Sequence, residues 1–230
     1  MTLRLALLDA SHGSEHTRPN FRRELDAALA EFDVTAGKLP PDFAFDGVVV
    51  TGSRSSVYWD EPWIDGLVDW VAEAADRGLP ILGVCYGHQV LATALGGRVA
   101  AMDDIELGYR EIERIGADPL LADLDDPFIA FETHSDRVVE LPPDATLLAK
   151  NDRGVQAFRR GDCWGVQFHP EYDRDSAARV TKGKDLPEER IQSVLDGIDD
   201  DNYAAACRTK RLFDNFTDYV RASRAASPEA

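Results

Sequence analysis

Cysteine is scarce in this chain of 230 residues: three are present, at 85, 163 and 207. An odd number so widely spaced does not build a disulfide framework, so the fold must rest on a packed core. Positive charge is scarce as well. Lysine and arginine number 25 against 42 aspartates and glutamates, a formal net charge of −17. Such a surface repels phosphate backbones, which argues against a broad nucleic-acid face. Long apolar runs are missing: no stretch reaches the roughly 18 consecutive apolar residues of a membrane span. The apolar start is broken by Asp9 too soon for a convincing secretory signal, so the cytoplasm is the expected location. There is no internal repeat and no P-loop. "GVCYGH" is not a dinucleotide fingerprint, because it lacks the second and third glycines at the required spacing.

What is present suffices for one substantial core, with 44% of residues hydrophobic. "LRLALLD" (3–9), "FDGVVVTGS" (45–53) and "LPILGV" (79–84) are short continuous apolar runs, the mark of strands buried on both faces. Residues 20–32 carry Phe21, Leu25, Ala28, Leu29 and Phe32 at helical spacing, and 34–39 is expected to be a second strand. Residues 62–78 read as a helix, with Pro62 suited to its first turn and Gly78 to its stop. Residues 86–97 read as another. Beyond 97, short β-like runs separated by turn residues predict antiparallel hairpins and a return to the main sheet. From 173 onward the chain reads helical. The pattern predicts an α/β, flavodoxin-like doubly wound fold with a mostly parallel sheet and helices on both faces. Its extent is 1–222, with 173–222 as a helical extension and 223–230 as a disordered tail.

In such folds ligands bind beyond the carboxyl ends of the strands. The loops at 51–57 and 85–87 both follow predicted strands and would open onto one edge. Cys85 stands there in "GVCYGHQ", between a strand and a helix, flanked by Gly83 and Gly87. A nucleophilic cysteine must be partly thiolate and reachable. A helix N-terminus favours the thiolate, and glycines leave room for a strained turn like the elbow of α/β hydrolases. The competing account is a buried cysteine whose glycines merely allow close helix–sheet packing. The nucleophile also needs a base and the base an orienter. His169 follows the apolar run "CWGVQF", and Pro170 biases it toward an extended backbone. Residues i and i+2 of an extended segment share a side, so Glu171 can hold the imidazole of His169.

"GVCYGHQ" followed by "GVQFHPEY" resembles the nucleophile and triad-closing motifs of the class I glutamine amidotransferases. The resemblance covers roughly 3–172 and the late helix with "LFDNFTDYV". The closest likeness is to stand-alone amidotransferases and to the amidotransferase part of GMP synthase. It implies Cys85 as nucleophile, His169 as base and Glu171 as third member. It implies an oxyanion hole from the loop at Gly52 and Ser53 and from the backbone N–H of Tyr86. Relatives often have Gly-Gly-Pro where this chain has Gly52-Ser53-Arg54. It also implies Gln89, His134, Ser135 and Asp136 as substrate-pocket residues. The expected reaction is hydrolysis of the glutamine side-chain amide through a γ-glutamyl thioester. The ammonia would pass to a separate synthetase subunit, and no cofactor or metal is expected.

Two other readings stay open: a γ-glutamyl peptidase or hydrolase on the same site, and a non-catalytic regulatory subunit that kept the fold. Remaining residues read more simply. His88 pairs with Cys85 as C-x-x-H, a weak metal signal beside helix packing. His12 and His16 lie in a loop on the active edge, touching either substrate or solvent. Cys163 and Cys207 read as packing residues. The acidic surface resembles that of proteins from salt-loving organisms, or is simply that of a soluble acidic protein.

Overall fold

The computed structural model describes residues 2–226. Among these, nine strands form one sheet: β1 (Arg4–Asp9), β2 (Ala28–Asp33), β3 (Gly47–Val50), β4 (Ile81–Val84), β5 (Arg98–Arg114), β6 (Phe128–Glu140), β7 (Thr146–Asn151), β8 (Gly154–Arg160) and β9 (Cys163–Val166). Their order is β2-β1-β3-β4-β9-β8-β7-β5-β6. The first five positions are mutually parallel and the rest antiparallel. The parallel part therefore runs in the doubly wound, flavodoxin-like order. Its central strands are buried at every residue, as in "VVV" of β3 and "ILGV" of β4.

Seven helices among the described residues complete the fold: α1 (Thr17–Glu24), α2 (Pro62–Asp76), α3 (Tyr86–Ala94), α4 (Arg174–Lys182), α5 (Glu188–Asp196), α6 (Asp200–Cys207) and α7 (Arg211–Ala226). The two sheet faces carry separate cores. One is built on Leu5, Leu7, Val49, Leu82 and Val84 and is covered by Phe21 of α1 and by Phe213 and Phe216 of α7. The other is built on Ala6, Leu8, Val48, Val50 and Ile81 and is covered by Ile64, Leu67 and Val71 of α2 and by Val90 and Leu91 of α3. The helical stripe of α2 is thus the face that the sheet removes from water.

Three expectations are corrected. Helix 20–32 is instead α1, which starts at Thr17 and ends at Glu24, followed by β2. Parallel pairing with β1, in the register Leu5↔Leu29 and Leu7↔Glu31, claims the residues that helical spacing had suggested. The strand expected over 34–39 is a single 3₁₀ turn, Val34–Ala36, closed by Gly37 at φ +70°. Lastly, α7 continues through Ala226, beyond the expected helical limit at 222. The remainder of the expected tail, 227–230, lies outside the described residues. The runs "RVAAM" and "ELGYREIERI" belong to one long strand, β5, whose pairing with β6 shifts register between Ala101 and Glu106.

β1, β3, β4 and β9 all end at one edge. The loops after them, holding His12, Gly52, Cys85 and His169, therefore gather there.

Candidate active site

Cys85 joins β4 to α3 at φ +54° and ψ −101°, a backbone region that a side chain rarely adopts. Neighbouring glycines make the turn possible. A Cβ on Gly83 would stand 2.3 Å from the carbonyl oxygen of Gly87, and one on Gly87 would stand 2.3 Å from that of Val50. Both close approaches hold the start of α3 against the strand ends. The Cys85 N–H donates to Val166 O at 2.8 Å, tying the turn to β9. Tyr86, first residue of α3, carries one of the N–H groups that a helix start leaves without an intrahelical partner.

His169 lies just beyond β9, buried, with Nδ1 donating to Glu171 Oε1 at 2.7 Å. That bond leaves Nε2 as the nitrogen without a hydrogen-bond partner of regular geometry. A Cβ on Gly52 would lie 3.0 Å from Cε1 of His169 and 3.7 Å from Cβ of Cys85. Glycine at 52 is thus the wall both side chains touch. Burial pushes the pKa of His169 down, but its interactions with Glu171 and Cys85 outweigh this and raise it to about 10. The ring stacks on Tyr172, centroids 4.2 Å apart.

The β3 loop is pinned from inside. Thr51 Oγ1 accepts from Ala10 N at 3.0 Å, Ser53 Oγ accepts from Ser55 N at 3.2 Å, and Ser55 Oγ meets His12 Nε2 at 2.8 Å. His12 therefore braces the loop, and its ring lies edge-on to Trp63.

A small cavity of about 90 Å³ is lined by Ser53, Cys85, Tyr86, Gln89, His134, Ser135 and Asp136, together with the cationic side chains of Arg54 and Lys184, among others. An adjoining cavity of about 170 Å³ is lined by Gly52, Ser53, His169 and Glu171, among others. Every residue to which the family resemblance gave a role falls on one of these two walls. Gln89 donates through its amide to Asp136 O at 3.2 Å and Gln167 Oε1 at 3.3 Å. The Asp136 carboxylate accepts from Ser56 Oγ at 2.6 Å and Tyr58 OH at 2.7 Å. Ser135 is exposed at the cavity's rim.

Sequence reasoning missed what lies behind His134. Its Nδ1 donates to Asp136 O at 2.8 Å, while Nε2 meets Glu106 Oε2 at 2.9 Å and Glu132 Oε2 at 3.3 Å. All three residues are buried. Burial alone would lower the pKa of His134, but the two carboxylates raise it to about 10, with Cys85 adding to the effect. Burial pushes Glu132 upward. Asn151 and Gln156 also donate to Glu106. Such a group of three ligand-type atoms within 4.8 Å has metal-like donors, and the imidazolium supplies the positive charge the carboxylates require. β5 and β6 bring Glu106 opposite His134 in register. That pairing spans two sequence-distant runs, so no local signal carried it.

His88 lines neither of these cavities. It is fully buried against Phe158 and Gly165, and burial lowers its pKa to about 3. Cys163 is likewise buried within β9, and burial raises its thiol to about 12.

A cysteine on a strained strand–helix turn thus stands beside a His–carboxylate pair at the edge of a doubly wound sheet. The model of the family "Glutamine amidotransferase class-I" matches residues 20–180, and the chain belongs to that family. It is 37% identical over 165 residues to the glutamine-hydrolysing GMP synthase of Thermomicrobium roseum, covering 70% of this chain and 30% of that protein. With the corresponding enzyme of Vibrio atlanticus the identity is 34% over 176 residues, covering 73% and 32%. The chain spans about a third of the length of these curated relatives. A crystal structure of a glutamine amidotransferase from Thermotoga maritima shares the fold, with TM-score 0.78, 21% identity and coverage of 96% and 98%.

Proposed function

We propose that this chain hydrolyses the side-chain amide of glutamine and delivers the ammonia to a synthetase on another chain. The observation that carries the reading is Cys85 at φ +54° on the N-terminus of α3, beside the His169–Glu171 pair. With His169 raised to about 10, its ring is an imidazolium near neutral pH and holds a proton for the leaving nitrogen. The Cys85 sulfur attacks the amide carbon. Backbone N–H groups of Tyr86 and of the Gly52–Ser53 loop receive the oxyanion, each such donor being worth about 3–4 kcal/mol. His169 hands its proton to the departing nitrogen, the C–N bond breaks, and a γ-glutamyl thioester remains. His169, now neutral, takes a proton from water as it attacks, and glutamate leaves. Gln89, His134, Ser135 and Asp136 form the wall that holds the amino-acid end.

The acceptor reading draws on the relatives named as glutamine-hydrolysing GMP synthases, which the chain matches over about a third of their length. Tyr58 and Trp59, 51% and 45% exposed, stand beside the β3 loop and offer apolar area where a partner would seat.

The test is glutamine turnover with and without a candidate synthetase, together with mass spectrometry of Cys85 after treatment with a glutamine-like electrophile. Adduct on Cys85 and ammonia release that vanish in Cys85→Ala are expected. A chain that neither labels at Cys85 nor turns over glutamine, alone or with its partner, would sink the reading.

A further inference from the structure

Two cations border the site with nothing to hold. Arg54 and Lys184 line the cavity of about 90 Å³ around Cys85, and both also line the cavity of His169. Among the described residues neither side chain is in a salt bridge or a hydrogen bond. Acidic residues outnumber basic ones 42 to 25 in this chain, and most arginines are paired, as Arg22 with Glu31 and Arg98 with Glu140. Arg54 is exposed, so water can solvate its charge. Lys184 is half-buried, and burial presses its pKa downward. Withdrawing a cation from water without a counter-ion costs free energy, so ordinary solvation accounts for Arg54 but not for Lys184.

The other charged and amide groups of the wall are engaged with their neighbours. The amide nitrogen of Gln89 donates to Asp136 O and Gln167 Oε1. Both ring nitrogens of His134 are taken, one by Asp136 O and the other by Glu106. The Asp136 carboxylate accepts from Ser56 and Tyr58. These residues shape the cavity, and among the described residues that line it only Arg54 and Lys184 carry an unengaged positive charge. An amino-acid substrate brings a carboxylate that must leave water to enter, and a carboxylate leaves water readily only for charge-assisted hydrogen bonds.

Lys184 is delivered by the helical extension. The chain passes from Glu171 and Tyr172, which contact His169, into α4, where the Asp173 side chain caps the first turn. Ala177 of α4 packs with Leu107 of β5 and Phe131 of β6, which fixes the helix against those strands. Thr181 is buried, and its hydroxyl donates to Ala177 O at 2.8 Å. α4 closes at Gly183, and the N–H of Lys184 donates back to Thr181 O at 3.2 Å. The lysine thus stands on an anchored backbone while its side chain lines the cavity. Arg54 comes from the loop after β3, so two separate segments bring one cation each to the same cavity.

We propose that Lys184 and Arg54 bind the α-carboxylate of glutamine and make the site selective for an amino acid whose carboxylate is free. The proposal rests on the Cys85 reading and names residues that hold its substrate. It gives the helical extension a part in the pocket that the sheet alone does not complete.

The experiment titrates Cys85→Ala, which cannot consume its ligand, with glutamine and with the α-amide of glutamine, where a neutral carboxamide replaces the α-carboxylate. Glutamine is expected to bind about tenfold more tightly, the margin of a charged over a neutral hydrogen bond. Adding Lys184→Gln should bring the ratio of the two dissociation constants close to one, and Arg54→Gln should reduce it. Lys184→Arg, which keeps the charge, should retain most of it. Arg179 lines a neighbouring cavity of about 290 Å³ but not the Cys85 cavity, so Arg179→Gln should leave the ratio unchanged. Because a ratio is read, a general loss of affinity cancels. Equal binding of the two ligands before any cation is replaced overturns the inference and leaves the glutamine reading standing. A preference that survives Lys184→Gln and Arg54→Gln together also overturns it, as does one that Arg179→Gln abolishes, since a diffuse field rather than contact would then act. If glutamine fails to bind while the unsubstituted chain still forms the Cys85 adduct, the inference falls alone. Absence of both binding and adduct takes the Cys85 reading down with it.

Discussion

At Cys85 the chain accepts a backbone conformation that costs about 1–3 kcal/mol in a residue with a side chain. A residue there for packing alone would be glycine. This gives a sharp stability test. Cys85→Gly is expected to be more stable than Cys85→Ala by about 1 kcal/mol, reversing the ordinary order of the two residues. In a chain this long that is a Tm difference of about 2–4 °C. Both variants should lose amide hydrolysis. Equal melting temperatures would mean that the elbow is not strained in solution. At Glu171 the expected effect is on rate alone. Glu171→Gln keeps the shape but no longer holds Nδ1 as the protonated nitrogen of His169. Replacing a triad carboxylate in this way costs about 10⁴ in kcat in a well-studied serine protease. A fall of about 10²–10⁴ in kcat, with little change in KM, is expected from steady-state kinetics. A comparable activity would leave Glu171 a packing group.

Among the elements, the β5–β6 pair carries the titration of the site. His134 and the carboxylates of Glu106 and Glu132 come from these two strands. Its pKa is raised from an ordinary value of 6.5 to about 10. A raised histidine contributes stability that is complete below the unfolded pKa and is lost as pH climbs through the folded one. Stability against urea is therefore expected to decline from about pH 7 toward pH 10. His134→Gln leaves two buried carboxylates without their cation, a loss of about 3–5 kcal/mol at neutral pH. Acidification, which protonates them, should restore part of it. A variant whose urea midpoint tracks the wild type at a constant offset from pH 6 to 9 would show that the ring is neutral in the fold. This cluster also marks how far the sequence could be read. The elbow and the His-Pro-Glu turn are local: each is written in a few consecutive residues whose backbone roles follow from glycine and proline. The buried strands β1, β3 and β4 could be located from apolar patterning for the same reason. The partner of His134 depends on which strand pairs with which and in what register, and Glu106 announces neither. β2 failed for a related cause. Its residues fit helical spacing, but an edge strand gains its stability from β1, a neighbour that spacing within one segment does not reveal.

For the molecule as a whole, the controlling quantity is the excess of 17 negative charges. The exposed pairs, such as Arg174 with Asp200 and Arg208 with Asp125, contribute about 0–1 kcal/mol each and weaken in salt. Net self-repulsion acts in the opposite sense, because it opposes the compact state and salt relieves it. The two effects therefore predict opposite slopes of Tm against ionic strength. With carboxylates outnumbering cations 42 to 25, many acids have no partner to lose, so repulsion should dominate. Screening shortens the reach of each charge from about 30 Å at 0.01 M to about 3 Å at 1 M salt. The expected result is a Tm that rises by several degrees between 10 mM and 1 M KCl, with most of the rise at low salt, where the reach shrinks past the spacing of surface charges. An uncharged osmolyte at matched osmolality separates screening from solvent exclusion, since only the former depends on ions. A Tm that falls with KCl would assign the stability to the exposed pairs and make self-repulsion the weaker of the two effects.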